Sequence, residues 1–424
     1  MAVTFPLGFT ASGATAGIKP SGKPDLCLIA RDGGTDGGAT GCAMVFTANA
    51  VTGAPVIVGK KRRAAVLAGT LATPRAVLIN AGNSNAATGQ QGVADAEACC
   101  AATASLLGCG PDGVVPSSTG VIGRPLPVGK IIAALPGLAA SLGRGEAADA
   151  AAAAAIMTTD TVPKSARAEY RETVGGVSRT IRIGAIAKGS GMIAPRLESA
   201  FAPPAASATM LAFVTTDAPI ASMDLQRATE TACSGSFDRV NVDNHPSCSD
   251  TVIVLASGAA GGTPIVHGTE AYERFTGALR TMCEDLARQI IVDGEGATRI
   301  FKIAIRGASS DEAARKMCAE VVSSPLVKCA IHGRDPNWGR IVTAAGNAGV
   351  WFDTSEASLT IGGVEVYRAG VPVTEALTDP RLKTAMAGKE VPLELVVGRG
   401  PGAWWMLGCD LSKEYVVINA EYTT

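Results

Sequence analysis

The sequence contains few aromatic residues, few histidines and almost no unbalanced charge. Only 4% of its 424 residues are aromatic, three are histidines, and the formal net charge is −1. A nearly neutral chain lacks the strongly basic surface that binds nucleic acid or anionic membranes, so we predict neither kind of partner. His245 and Cys248 have the spacing of half a zinc site, but no second half follows, and we predict no metal.

Long apolar runs and closely spaced cysteine pairs are also missing. No run reaches 18 apolar residues, so we predict no transmembrane helix. The first residues, MAVTFPLGFTASG, lack the basic and then apolar order of a signal peptide. The eleven cysteines are scattered without a C-x-x-C motif, which is typical of reduced, buried thiols. We therefore expect a cytoplasmic protein.

Glycine and alanine are abundant, and small side chains allow close packing and tight turns. The length is sufficient for a large core in two associated lobes. Strands are predicted at 26–30, 75–80, 180–187, 210–214, 250–257, 299–305 and 415–420, with further short strands in 1–60. Helices are predicted at 93–107, 129–157 (interrupted by Pro136), 224–233, 270–291 and 311–322. Because this order lacks strict β-α-β alternation, we predict layered α+β architecture.

The stretch 188–217, KGSGMIAPRLESAFAPPAASATMLAFVTTD, contains the first candidates for chemistry. Lys188 is either an exposed lysine or a cation that a glycine-rich turn holds for an amino-acid carboxylate. A threonine before a strand, such as Thr209, usually has a structural role. Its hydroxyl could also attack the carbonyl of Ala208 and break the chain. At the new N-terminus it could then act as a nucleophile with its own amine as base.

Three more segments allow both a structural and a chemical interpretation. PSSTGVIG, at 116–123, is predicted to be a polar turn, and N–H groups near Thr119 and Gly120 could stabilise an oxyanion. Thr158, in a Thr-Thr-Asp-Thr segment, either forms a local turn or contacts substrate. Glu295, in DGEGA, is either a solvated turn acid or the partner of a substrate ammonium group. Nucleotide fingerprints are excluded, because neither G-x-G-x-x-G nor a P-loop is complete.

Taken together, these segments resemble the ornithine acetyltransferase family, the bifunctional glutamate N-acetyltransferases of arginine biosynthesis. The resemblance runs from GFTASGATAGIKPSGKPDL to Thr424 and includes TGVIG, KGSGMIAP, ATMLAFVTTDA, DGEGATR, GRDPNWGR and INAEYTT. In the family KGSGMIAP and ATMLAFVTTDA are nearly contiguous, whereas residues 196–205 lie between them here as an insertion. Because the insertion contains two prolines and many small residues, we predict a surface loop.

The resemblance implies an α+β sandwich of the ornithine acetyltransferase and DmpA-like aminopeptidase type. It also implies self-cleavage between Ala208 and Thr209, giving an N-terminal fragment, 1–208, and a C-terminal fragment, 209–424. Thr209 would then carry the acetyl group from N-acetylornithine to glutamate in a ping-pong reaction. Two copies of each fragment would form a heterotetramer.

The resemblance further implies a role for each candidate site residue. Thr119 and Gly120 correspond to the family's oxyanion-stabilising pair. The substrate-binding positions correspond to Thr158, Lys188, Thr209, Glu295, Asn419 and Thr424. We predict the last two to close the site from a C-terminal strand that docks near it. No cofactor is implied, although acetyl-CoA is a second acetyl donor in bifunctional members, and the sequence leaves its use open.

Two other functions remain open at this level. A hydrolase of the same wider superfamily, an aminopeptidase or amidase, would use Thr209 but transfer the acyl group to water. An uncleaved, non-enzymatic paralogue would keep the chain intact, and the insertion before Ala208 is the sequence feature in its favour. Lys188, Glu295 and the INAEYTT tail favour the transferase over the hydrolase.

Overall fold

A computed structural model describes residues 2–32, 39–174, 176–194, 197–201 and 210–421. The described chain divides into two compact units. The first consists of residues up to 238 together with 245–290, and the second of 239–244 together with the residues from 291 onward. No helix in the described ranges has the length and apolar character needed to cross a membrane.

The strands and helices mix along the chain, as the α+β prediction requires. The strands are β1 (Phe9–Ala14), β2 (Leu26–Arg31), β3 (Gly41–Thr47), β4 (Ala76–Asn83), β5 (Val114–Val121), β6 (Lys164–Val174), β7 (Val177–Lys188), β8 (Leu197–Glu198), β9 (Leu211–Thr216), β10 (Val240–Asn241), β11 (Thr251–Ala256), β12 (Ile300–Ala308), β13 (Ser358–Ile361), β14 (Val364–Arg368), β15 (Val371–Pro372), β16 (Glu390–Val396) and β17 (Gly402–Cys409). The helices are α1 (Ala54–Leu67), α2 (Gly89–Leu107), α3 (Val128–Ala140), α4 (Glu146–Ile156), α5 (Ser222–Gly235), α6 (Glu270–Val292), α7 (Asp311–Ser323), α8 (Pro325–Gly333), α9 (Trp338–Gly346), α10 (Pro380–Ala387) and α11 (Lys413–Glu421).

The first unit contains two sheets that share a core. Their strand orders are β1-β2-β4-β5 and β6-β7-β9-β11-β3-β8. In β2, Cys27 and Ile29 pack into the core shared with the second sheet, whereas Leu26 and Leu28 pack with residues of α2 and α3. Side chains alternate between the faces of a strand, so a strand covered on both faces is apolar at every position. This explains the uninterrupted run LCLIA and confirms the predicted sandwich.

The sheet pairings bring three strand ends to one edge of the larger sheet. Antiparallel pairing of β7 with β9 places Lys188 opposite Leu211, and parallel pairing of β9 with β11 places Leu211 opposite Thr251. In the smaller sheet β4 and β5 are parallel, with Gly82 opposite Gly120 and an irregular register just beyond Gly82. The polar segments that contain the candidate site residues therefore lie at the ends of buried strands.

The second unit contains one sheet of order β10-β17-β12-β16-β13-β14-β15. Its core combines inward side chains of β12, β13, β14 and β16 with apolar residues of α7 to α10.

In the first unit, the predicted buried face of α6 is confirmed, because every apolar residue of its three- and four-residue spacing is buried. These residues are Phe275, Leu279, Met282, Leu286 and Ile290.

The prediction of a strand at 415–420 is wrong, because this segment lies in α11. Its β-branched residues favour a strand, but none of the helix residues is buried, so no sheet face selects that conformation. Ser412 stabilises the helix start instead, since its hydroxyl oxygen accepts the N–H of Glu414 at 3.2 Å.

The predicted helix break at Pro136 is also wrong. Pro136 lies inside α3, where Leu135 and Leu138 on either side are fully buried. The chain leaves the helix only after Ala140, where Gly143 exchanges two backbone hydrogen bonds with Ala11 of β1. This pairing with a distant strand, rather than proline, ends the helix.

Two loop predictions are wrong as well. PSSTGVIG is not a turn, because residues 116–121 belong to β5 and pair with β4. In the insertion, Leu197 and Glu198 are not part of a free surface loop. Leu197 is 5% exposed and pairs with β3, and Glu198 forms ion pairs with Lys60 and Arg63 at 2.5 and 2.8 Å. The insertion's remaining residues, 196 and 202–205, lie outside the described ranges.

Candidate active site

The ends of β5 and β7 bring Thr119 and Lys188 together. Their side chains are almost completely buried, with residue exposures of 2% and 3%. The ammonium nitrogen of Lys188 lies 3.5 Å from the hydroxyl oxygen of Thr119. Two predicted site residues that are 69 positions apart in the sequence thus form one buried polar group.

Asp160 organises the charges of this group. One carboxylate oxygen accepts a hydrogen bond from Lys164 at 2.7 Å and another from the N–H of Gly189 at 2.7 Å. The other oxygen accepts the N–H of Thr158 at 3.0 Å and lies 4.0 Å from the Lys188 ammonium. The loop after α4 is thereby bonded to the turn after β7. Thr158 reaches this cluster through its backbone.

The two lysines and the hydrogen bonds together set the charge of Asp160. Burial by itself would raise the pKa of Asp160, but the ammonium groups of Lys188 and Lys164 and the hydrogen bonds hold it at about 2. The carboxylate is therefore ionised at neutral pH. Asp160 thus places one buried negative charge beside two buried lysines.

Gly120 follows Thr119 at a position where only glycine fits. Its φ of +127° is strained for any L side chain. A Cβ atom there would lie 2.4 Å from the carbonyl carbon of Gly82. The backbones of the two glycines are therefore in close contact at the irregular end of β4 and β5. The oxyanion role of Thr119 and Gly120 stays a prediction.

The start of β9 lies at the same edge of the larger sheet. The N–H of Met210 donates to the Asp250 carboxyl at 2.5 Å, and Asp250 is fully buried. Burial raises the pKa of Asp250 well above its usual range. Ala208 and Thr209, which precede Met210, lie outside the described residues. The nucleophile and the cleavage site therefore stay predictions.

Lys19 is a further cation in this region. Its ammonium donates to the carbonyl oxygen of Pro24 at 2.5 Å, and its side-chain stem packs against Gly82. Burial lowers the pKa of Lys19 to about 8, against the opposing influence of Asp25 and Asp160. Lys19 is half-buried, so part of its side chain stays accessible to solvent.

The second unit contains Glu295 and Asn419, two further predicted site residues. Glu295 is 8% exposed, and its carboxylate accepts a hydrogen bond from the Asn419 amide at 2.8 Å. Ser412 donates to the carbonyl oxygen of Gly296 at 2.6 Å, which bonds the Glu295 turn to the residues before α11. The structure thus pairs Glu295 with Asn419. Thr424 lies outside the described residues.

Sequence reasoning missed Lys19, Lys164, Asp160 and Asp250. Asp160 lies within the Thr-Thr-Asp-Thr segment, whose hydroxyl groups give the more obvious pattern. Lys164 and Asp250 stand at the starts of strands, where a charged residue is usually solvated and gives no distinct pattern. An acidic residue just before the mostly apolar strand TVIVLA was the one available signal for Asp250.

Comparison with known proteins identifies the family. The ArgJ family model matches residues 10–424. The arginine biosynthesis bifunctional protein ArgJ of Thermosynechococcus vestitus is 43% identical over 100% of this chain and 98% of its own length. The chloroplastic ArgJ of Physcomitrium patens is 42% identical over 100% of this chain and 78% of its own length. A crystal structure of ArgJ from Bacillus halodurans is 36% identical, with a TM-score of 0.48, over 50% of this chain and 100% of that one. The full-length sequence matches confirm the relationship inferred from the motifs, and the chain belongs to the ArgJ family.

Proposed function

We propose that this protein is an acyltransferase of arginine biosynthesis that moves the acetyl group of N-acetylornithine to glutamate. Membership of the ArgJ family, with relatives named as arginine biosynthesis bifunctional proteins, supports the pathway. The observation that carries the site is the buried Lys188 ammonium, 3.5 Å from the Thr119 hydroxyl at the edge where β9 begins. A fixed cation beside a candidate oxyanion group suits an acyl donor that carries a carboxylate.

The reaction needs a nucleophile that carries the acetyl group between two amines. The Thr209 hydroxyl attacks the acetyl carbonyl, and its proton passes to the Thr209 α-amine. Thr119 and Gly120 stabilise the oxyanion. When this tetrahedral intermediate collapses, the C–N bond breaks and the departing ornithine amine takes the proton from the Thr209 α-amine. The acetyl group remains on Thr209 as an ester. The glutamate amine then attacks the Thr209 ester, giving N-acetylglutamate and the free hydroxyl.

Recognition of the substrate divides between two charges. Lys188, a buried cation beside Thr119, binds the α-carboxylate of either substrate. Glu295, nine-tenths buried and bonded to Asn419, binds the side-chain ammonium of ornithine. Thr158 and Thr424 complete the substrate contacts in this proposal.

Maturation comes first, because the Thr209 amine is free only after the bond to Ala208 breaks. Thr209 attacks that carbonyl to form an ester, and water hydrolyses the ester to give fragments 1–208 and 209–424. Both fragments contribute strands to the larger sheet of the first unit, so they would remain associated. We further propose a heterotetramer of two copies of each fragment, a cytoplasmic location, and acetyl-CoA as an alternative acetyl donor. The family resemblance supports these points.

The test is a denaturing gel with N-terminal sequencing, followed by an assay of purified protein with N-acetylornithine and glutamate. We expect a new N-terminus at Thr209 and equal amounts of ornithine and N-acetylglutamate. Thr209→Ala should remain one chain without activity, whereas Thr209→Ser keeps a hydroxyl and should still cleave. A parallel reaction with acetyl-CoA in place of N-acetylornithine tests the second donor.

The same experiment separates the alternatives. Acetate released without N-acetylglutamate would identify a hydrolase. An intact full-length chain without turnover would identify a non-enzymatic paralogue. A new N-terminus at any residue other than Thr209 would refute the nucleophile assignment.

A further inference from the structure

Asp250 is a buried acid that the proposed reaction does not use. It immediately precedes β11, and its side chain is completely inaccessible to solvent. Its carboxyl accepts the N–H of Met210 at 2.5 Å, and its carbonyl oxygen accepts the N–H of Thr47 at 3.0 Å. Among the residues that the structure describes, none forms an ion pair with it. A carboxyl group in such a place needs a specific reason.

We propose that Asp250 is a positioning residue, which fixes the backbone of Met210 and thereby the location of the residue before it. The inference rests on the proposed function, in which residue 209 is both the cleavage site and the nucleophile. Asp250 acts through Met210 and is not itself assigned a contact with substrate.

The geometry at Met210 supports this role. Asp250 accepts the Met210 N–H, and the next residue, Thr251, donates its own N–H to the Met210 carbonyl oxygen at 3.0 Å. Asp250, just before β11, and Thr251, the first residue of β11, therefore bind the backbone N–H and the backbone carbonyl oxygen of Met210. Neighbouring Cα atoms are a fixed ~3.8 Å apart across a trans peptide, so a displacement of residue 210 displaces residue 209 with it.

The charge state of Asp250 is compatible with this role. Burial raises the pKa of its carboxyl well above the usual range, which favours the neutral acid. A neutral carboxyl still has an oxygen that accepts the Met210 N–H, so the bond does not require a buried negative charge.

The experiment compares Asp250→Asn and Asp250→Ala with Asp149→Ala in the full-length protein. Asp149 is a matched control, since it is also buried and accepts two backbone N–H groups, from Ala2 and Thr4, at 2.5 and 2.8 Å. For each variant, the rate of self-cleavage is measured on denaturing gels. For the cleaved protein, kcat and KM are measured separately, together with the melting temperature.

We expect Asp250→Asn to cleave and turn over within about fivefold of the natural protein, because its amide oxygen can still accept the Met210 N–H. Asp250→Ala should lower the cleavage rate and kcat by roughly 100-fold with KM little changed, as expected for a nucleophile displaced by about 1 Å. Asp149→Ala should lower the melting temperature without this loss of kcat in the folded protein.

Two outcomes would overturn the inference. If Asp250→Ala and Asp149→Ala had equal kinetic effects, Asp250 would have the same general structural role as Asp149 and no specific role in positioning. Equal damage from Asp250→Asn and Asp250→Ala would show that its acidic proton, and not its position, is required. If the natural protein cleaves but transfers no acetyl group, the proposed function fails. The Asp250 inference is still decided by the cleavage rates.

Discussion

Substitution of Asp160 by asparagine should expose how much the site depends on one buried carboxylate. Asp160 compensates Lys164, which is fully buried, and Lys188, which is 3% exposed. Asp160→Asn keeps the shape of the side chain but removes the negative charge that Asp160 places beside both ammonium groups. Removing one partner of a buried ion pair typically costs ~3–5 kcal/mol. We expect the free energy of unfolding to fall by about that amount at neutral pH.

Part of this loss should depend on pH. The folded-state pKa of Asp160 is lowered from 3.8 to about 2. A lowered pKa means that the folded state favours the ionised carboxylate. The resulting stability is therefore present above pH ~4 and is lost as the pH falls towards 2. A shift of this size corresponds to roughly 2 kcal/mol. The difference between natural protein and Asp160→Asn should shrink by about that amount across this window.

The assay is urea unfolding of both proteins from pH 6 down to the lowest pH at which the natural protein still folds. Asp149→Asn serves as a control for a buried acid that hydrogen-bonds to backbone N–H groups. A difference between natural protein and Asp160→Asn that stays constant with pH would refute the assigned charge of Asp160. A difference below ~1 kcal/mol at neutral pH would refute its role as the counter-charge of the two lysines.

Three further substitutions test the site by steady-state kinetics. Lys188→Met should raise KM for N-acetylornithine by roughly 10- to 100-fold, since a charge-assisted contact contributes ~1.5–3 kcal/mol; an unchanged KM would exclude a carboxylate contact. Glu295→Gln should weaken N-acetylornithine more than an analogue with a neutral side chain, and equal effects on both would contradict an ammonium contact. Gly120→Ala should lower kcat by more than about 100-fold, because the new Cβ atom would lie 2.4 Å from the Gly82 carbonyl carbon. Activity close to that of the natural protein would show that this backbone is free to move.

The sequence alone determined the elements whose local pattern and tertiary role agree. LCLIA is apolar at every position because β2 is covered on both faces, and α6 follows its predicted helical spacing because one face is buried. The strand that ends at Lys188 was likewise predicted, at 180–187, whereas β5, which carries Thr119, was predicted to be a turn. Long motifs identified the family. Several of the predicted site residues contact one another in pairs in the structure.

Tertiary structure decided the features for which a local pattern is ambiguous. The segment 415–420 became helical because no sheet face buries its β-branched residues, and α3 continued through Pro136 because flanking leucines anchor it. The pairing of charges in the site could not be predicted from the sequence either. Asp160 and Lys188 are 28 positions apart, and their interaction depends on how the loop after α4 meets the end of β7. Whether a charge is solvated or buried beside a counter-charge is set by such long-range packing, because residue type fixes the group but not its surroundings.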